Sequence, residues 1–182
     1  WEDDRDGNQE IYYKRSTDWG VNWSGDTRLT NNPAASKSRS SSVSGSIIHV
    51  VWYDNRDGNY EIFYKRSTDS GISWGADTRL TYNSAIKERP TISTFGSKVH
   101  IVWLDQRDGN WEVYYKNSID GGINWGSDIR LTNDPGISSF PSVVVSGSVV
   151  HVVWVDDRDG GPFTSEIYYK RSVDAGLTWE TD

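Results

Sequence analysis

Cysteine and methionine are both missing from these 182 residues, and proline is scarce at five. Without cysteine the chain has neither a disulfide nor a thiolate metal site. Without methionine it has no initiator residue, so the expectation is a chain that derives from a longer parent. No apolar run approaches the roughly 18–20 residues of a membrane-spanning helix, so no such span is expected. Basic charge is in deficit: 19 Lys and Arg stand against 26 Asp and Glu, a net charge of −7. That balance argues against a nucleic-acid binder, which carries a basic footprint. Helical periodicity with capping residues is also absent.

What the chain does have is tryptophan, ten of them, and a phrase that occurs four times. It reads S-T-D-W-G-V-N-W from Ser16, S-T-D-S-G-I-S-W from Ser67, S-I-D-G-G-I-N-W from Ser118 and S-V-D-A-G-L-T-W from Ser172. The starts are spaced by 51, 51 and 54 residues (67 − 16, 118 − 67, 172 − 118). A fixed period of this size marks one supersecondary unit copied in tandem. Trp1, Trp52, Trp103 and Trp154 share a register, as do Asp3, Asp54, Asp105 and Asp156, and the three histidines His49, His100 and His151 occupy one repeat position. The three extra residues of the last period fall in Gly161-Pro162-Phe163-Thr164.

One period reads as four strands. Arg89 to Phe95 is a short β-rich run, Gly96-Ser97 a hairpin turn, and Lys98 to Leu104 a β-branched strand. Asp105 to Asn110 is a polar turn whose Asp-Gly step suits positive φ. Trp111 to Asn117 is a third strand, and Ile123 to Thr132 a fourth. Four antiparallel strands per ~50 residues is the pattern of a β-propeller blade, which sets the expected fold class as all-β. With the strands called A to D from the axis outward, the B–C and D–A loops share one face. The divisions predicted are a half blade (C and D) over 1–33, blades over 34–84 and 85–135, and a blade over 136–182 whose last strand is cut short. A single-chain propeller needs about four to eight blades. The ring is therefore expected to be incomplete, with further blades of a longer parent, or a homo-oligomer, completing it.

The phrase S-x-D-x-G-x-x-W, with its accompanying W-x-D-x-R-D-G and E-I-Y-Y-K segments, resembles the Asp-box, or bacterial neuraminidase repeat, of the sialidase-like β-propellers. The resemblance implies a C–D turn far from the substrate funnel and a structural role for Asp18, Gly20, Trp23, Asp69, Gly71, Trp74, Asp120, Gly122, Trp125, Asp174, Gly176 and Trp179. It implies an extracellular or cell-surface location. Sialidases of this family bind the substrate carboxylate with three arginines, the first in a Y/F-R-I-P motif, and use a Tyr/Glu nucleophile pair and an Asp acid/base. The nearest string here is Glu88-Arg89-Pro90-Thr91, which lacks the aromatic and the isoleucine. Arg89 is unique to its repeat, since Ser38 and Phe140 hold the equivalent positions, whereas Arg5, Arg56, Arg107 and Arg158 recur as scaffold residues would.

The loop Asp3 to Asn8 recurs at Asp54, Asp105 and Asp156. Its carboxylates could take Ca²⁺, but its spacing differs from a D-x-D-x-D-G loop and its arginine opposes a cation. An Asp–Arg-braced turn is the expectation, with no catalytic residue and no cofactor assigned. The histidines lie one strand away from the axis and read as structural rather than metal-binding. Departures from the repeat are the better ligand-binding candidates: Tyr60, Tyr82, Arg89, Trp111 and Phe163, on the face shared by the B–C and D–A loops, together with Lys87 and Glu88. The leading reading is a non-catalytic recognition scaffold for a glycan or a protein. The alternatives are part of a sialidase-like glycoside hydrolase, and a purely architectural array.

Overall fold

The computed structural model describes residues 1–159 and 165–181, and every element in it is a strand. The first sheet holds β1 (Glu2–Asp3), β2 (Glu10–Tyr13) and β3 (Thr27–Arg28). The second holds β4 (Ser36–Ser44), β5 (Ile47–Asp54), β6 (Glu61–Ser67) and β7 (Thr78–Arg79). The third holds β8 (Lys87–Phe95), β9 (Lys98–Asp105), β10 (Glu112–Ser118) and β11 (Ile129–Arg130). The fourth holds β12 (Ser138–Ser146), β13 (Val149–Asp156) and β14 (Glu166–Ser172). Each sheet is an antiparallel meander in chain order, and the four sheets form an unclosed ring of propeller blades.

Successive sheets bury apolar faces against each other. Val51, Ile62, Tyr64 and Leu80 of the second sheet form one core with Ile92, Val99, Ile101, Trp103 and Tyr114 of the third. This explains why β5 and β9 read as continuous apolar runs: their sheets are covered on both faces. The innermost strands β4, β8 and β12 lie side by side, and hydroxyls join them. Ser42 and Thr94 pair at 2.7 Å, the Val145 amide donates to Ser93 at 3.1 Å, and the Ile92 amide donates to Ser40 at 3.3 Å. The serine-rich stretch Ser36 to Ser44 thus has a use, since short hydroxyl side chains allow close approach near the axis.

The outermost strand is shorter than expected. In place of Ile123 to Thr132, only Ile129–Arg130 pairs in the third sheet. Residues 120–124 are held in the turn instead, where the Ile123 and Asn124 amides donate to Asp120, while the Asp128 side chain pairs with Arg107 (2.8 Å) and Lys116 (2.9 Å).

The repeated turn has one geometry in all four copies. In the second, the Ser67 hydroxyl donates to Asp69 at 2.7 Å and accepts from the Gly71 amide at 2.8 Å, while Asp69 accepts from the Ser73 amide at 2.9 Å. Hydrogen bonds from the residue four positions on (Asn22, Ser73, Asn124, Thr178) hold Asp18, Asp69, Asp120 and Asp174 down to about 2. Trp74, Trp125 and Trp179 meet Tyr13, Tyr64 and Tyr115 of the preceding sheet edge-on, at 5.0, 4.9 and 4.9 Å between ring centroids. The turn is therefore a clamp between blades. Tyr64 and Tyr115 are set in turn by His49 and His100, whose Nδ1 atoms lie 2.7 Å from the tyrosine hydroxyls.

Candidate functional site

The B–C loops are held by ion pairs. Asp54 accepts from the Trp52 indole at 2.9 Å, from the Arg56 amide at 3.1 Å and from the Arg56 guanidinium, whose other arm reaches Asp77 at 2.6 Å. Asp105, Arg107 and Asp128 repeat this arrangement. The carboxylates that a Ca²⁺ ion would need are already taken by arginine, and among the described residues no group of three or more His, Cys, Asp or Glu is placed to hold a metal.

The five ligand-binding candidates are placed unequally. Tyr82 is exposed; its hydroxyl donates to the Arg79 carbonyl at 2.8 Å, and the Arg79 guanidinium lies over its ring at 4.9 Å. Trp111 is partly buried against the apolar layer between the third and fourth sheets. Phe163 lies outside the described residues. Lys87, expected on the surface, is instead fully buried, paired with Glu61 at 3.2 Å. Burial pulls its pKa down, and the Glu61 charge acts against that pull. Tyr60 and Arg89 border a common region at the start of the inner strands.

That region is built on a shared backbone irregularity. Each inner strand shifts register at its start, between Lys37 and Ser40, Glu88 and Thr91, and Ser139 and Ser142. At each bulge one non-glycine residue takes positive φ: Ser38 (47°), Arg89 (54°) and Phe140 (50°). This left-handed backbone costs a residue with a Cβ on the order of 1–2 kcal/mol, and bulges commonly re-aim side chains beside functional sites. The result is a pocket of about 310 Å³ between the strands, lined by Arg39, Arg89, Phe140 and neighbouring Ser, Thr and Pro residues. The Arg89 guanidinium lies 4.4 Å from the centroid of the Phe140 ring. Arg89 has no carboxylate partner among the described residues, and Arg39 has only a 3.5 Å contact with Glu2.

Tyr53 links this pocket to Tyr60. Their rings meet edge-on at 5.2 Å, with the Lys37 ammonium 5.9 Å from the Tyr60 centroid. The Tyr53 pKa is raised, first by burial and then by the Glu88 charge, while a hydrogen bond with Ser38 and the Arg89 charge act the other way. Two cationic arms beside an aromatic face suit an anion carried on a partly apolar body.

Arg39, Tyr53 and Phe140 are absent from the sequence-derived candidates, yet the register marks each of them. Arg39 stands where the other repeats have Pro90 and Pro141, Tyr53 where they have Leu104 and Val155, and Phe140 where they have Ser38 and Arg89.

No protein-family model and no curated protein matches this sequence. Solved structures do match in fold. Trypanosoma rangeli sialidase in complex with the inhibitor DANA aligns at a TM-score of 0.67 and 17% identity, over 95% of this chain and 33% of that one. Penicillium chrysogenum α-L-arabinanase complexed with arabinobiose aligns at 0.62 and 17% identity, over 94% and 58%. A family 117 glycoside hydrolase from the marine bacterium Zobellia galactanivorans aligns at 0.53 and 13% identity, over 78% and 53%. This chain spans about a third of the length of the sialidase it matches. Its fold is that of a sialidase-like β-propeller.

Proposed function

We propose that this chain is the recognition surface of an Asp-box β-propeller, non-catalytic in itself, that binds a carboxylate-bearing carbohydrate where the inner strands begin. The observation that carries this reading is that Arg39, Arg89 and Phe140 line one pocket in which Arg89 lies over the Phe140 ring and has no carboxylate partner among the described residues. A guanidinium grips a carboxylate with two parallel hydrogen bonds, and an aromatic plane takes the apolar face of a sugar ring. The sialidase among the structural neighbours holds DANA and the arabinanase holds arabinobiose, which supports a carbohydrate over a protein ligand. The four repeated turns are read as Asp-boxes with a structural role, and the location as extracellular or cell-surface.

Calorimetric titration of the chain with sialic acid, a uronic acid and a neutral pentose disaccharide tests the reading. Binding confined to the acidic sugars is expected. Arg89→Ala should weaken it about tenfold to a hundredfold, the loss of a charge-assisted hydrogen bond. Absence of binding to any acidic sugar would overturn the proposal.

One observation favours a second reading. The three structural neighbours described above are glycoside hydrolases, so the pocket could serve the active site of a sialidase-like enzyme. Turnover of a fluorogenic sialoside, lost in Arg89→Ala, would favour that reading over simple binding.

A further inference from the structure

The buried Lys87 ammonium sits in a cradle of three oxygens: the Asn83 and Ala85 carbonyls at 2.5 and 2.6 Å, and Glu61 Oε2 at 3.2 Å. Every part of that cradle except the lysine recurs 51 residues earlier, between the first and second sheets (83 − 32, 85 − 34, 61 − 10, 87 − 36). There Asn8 donates to the Asn32 carbonyl at 3.0 Å, the Ala34 carbonyl at 2.8 Å and Glu10 Oε1 at 3.1 Å, as Asn59 does to Asn83, Ala85 and Glu61. Arg28 lies 2.8 Å from Glu10 Oε1, the same distance as Arg79 from Glu61 Oε1. The Ser36 amide donates to the Gln9 carbonyl as the Lys87 amide does to that of Tyr60. Ser36 thus holds the lysine position, with a side chain too short to carry a charge to Glu10.

Two polar atoms are left over. Glu10 Oε2 and Ser36 Oγ make no hydrogen bond within the protein, and both residues are 0% exposed. The junction of the third and fourth sheets closes itself by contrast. Ser138 Oγ lies 3.1 Å from Thr132 Oγ1 and 3.0 Å from Asp156, and Thr132 donates to Glu112 Oε2. Charge points the same way at the first junction. Arg28 is shared between Glu10 and Asp6, at 2.8 and 3.0 Å, which leaves one negative charge in excess. Around Glu61, Arg79 is shared with Asp57 in the same manner, and Lys87 supplies the balancing charge. A buried carboxylate oxygen without a partner is costly.

We propose that a monovalent alkali cation, sodium or potassium, binds between Glu10 Oε2, Ser36 Oγ and the Asn32 and Ala34 carbonyls, where the next junction carries the Lys87 ammonium. Carbonyl oxygens can replace the hydration shell of an alkali ion. A lone carboxylate already shared with an arginine suits one positive charge, whereas calcium takes more oxygen ligands and more carboxylates. The ion ties the loop 31–35 to the first sheet, just before Arg39 in β4.

Equilibrium dialysis against thallium(I), a stand-in for potassium, tests this together with thermal unfolding in potassium, sodium and choline chloride at equal ionic strength. The wild-type chain should bind one thallous ion, displaced by excess potassium or sodium. It should melt about 2–4 °C higher in the alkali salts than in choline chloride. Glu10→Gln removes the charge with little change of shape and should abolish both effects. Ser36→Lys puts an ammonium in the cradle; it should bind no thallium and melt alike in all three salts. Near-ultraviolet circular dichroism checks that each variant is folded, and Glu10→Gln decides the matter if Ser36→Lys is not. A wild type that retains no thallium, or a folded variant that binds it as the wild type does, would overturn the proposal. So would equal melting of the wild type in the three salts, which would mean that water alone satisfies the cradle.

Discussion

The Tyr64 hydroxyl of β6 rests against Gly122, which lies in the next sheet, so closely that a Cβ at position 122 would collide with it. Gly122 also has a φ of 80°. The glycine of the repeated turn is thus required twice, once by its own backbone and once by a tyrosine 58 residues earlier (122 − 64). The same pairing joins Tyr13 to Gly71 and Tyr115 to Gly176.

Gly122→Ala should therefore cost far more than a change at a glycine that needs positive φ alone. Gly109 has a φ of 101° but open space around it. Equilibrium urea unfolding is expected to show a loss of about 1 kcal/mol for Gly109→Ala. For Gly122→Ala the expected loss is about 3–4 kcal/mol, with overpacking added to the backbone strain. Equal losses would mean that the tyrosine contact is unimportant.

The clamp histidines should make stability pH-dependent. Burial, aided by the Arg66 charge at His49 and the Lys98 charge at His100, lowers both pKa values from 6.5 to about 4. The unfolded chain then binds more protons than the folded one between pH 4 and 6.5, so stability falls as pH falls through that window. The loss is expected to reach at most about 3 kcal/mol per histidine. The turn aspartates act lower, since their contribution is lost only as pH falls from about 4 toward 2. Urea midpoints at pH 7 and pH 4.5 should differ clearly, and His100→Gln should reduce that difference by roughly half.

Glu61 and Lys87 form a buried pair at 3.2 Å, with Arg79 also on Glu61 at 2.8 Å. The two ends are unequal. Lys87 stands where the other sheets have the buried serines Ser36 and Ser138, whereas Glu10 and Glu112, the counterparts of Glu61, are each paired with an arginine. Lys87→Ser is expected to cost about 1–2 kcal/mol. Glu61→Ala should cost about 3–5 kcal/mol, because it leaves the buried Lys87 ammonium without its carboxylate. Thermal or urea unfolding of both variants measures the asymmetry.

Arg89→Gly separates stability from binding. At φ 54° a glycine relieves the strain of the left-handed backbone, though it also frees the unfolded chain. The expected net effect on unfolding is between zero and a gain of about 1 kcal/mol. Binding of acidic sugar should be lost all the same. A variant that is destabilised while still binding would show that Arg89 serves the fold instead of the pocket.

Period, strand count and the polar turns were legible in the chain because a tandem repeat states each local preference several times. Glycine, asparagine and β-branched residues recur at the same offsets, and these preferences act within a few residues. The blade architecture followed from them. Tertiary structure alone decided the partners across blades: that Trp125 packs on Tyr64, that Lys87 is buried, and that Arg39, Arg89 and Phe140 meet around one pocket. Those contacts join residues between 26 and 61 positions apart (87 − 61, 125 − 64), and they depend on how neighbouring sheets stack and where a bulge turns a side chain. No local propensity encodes either. The sequence marks which residues break the repeat, and only the packing of one sheet on the next shows which of those breaks come together.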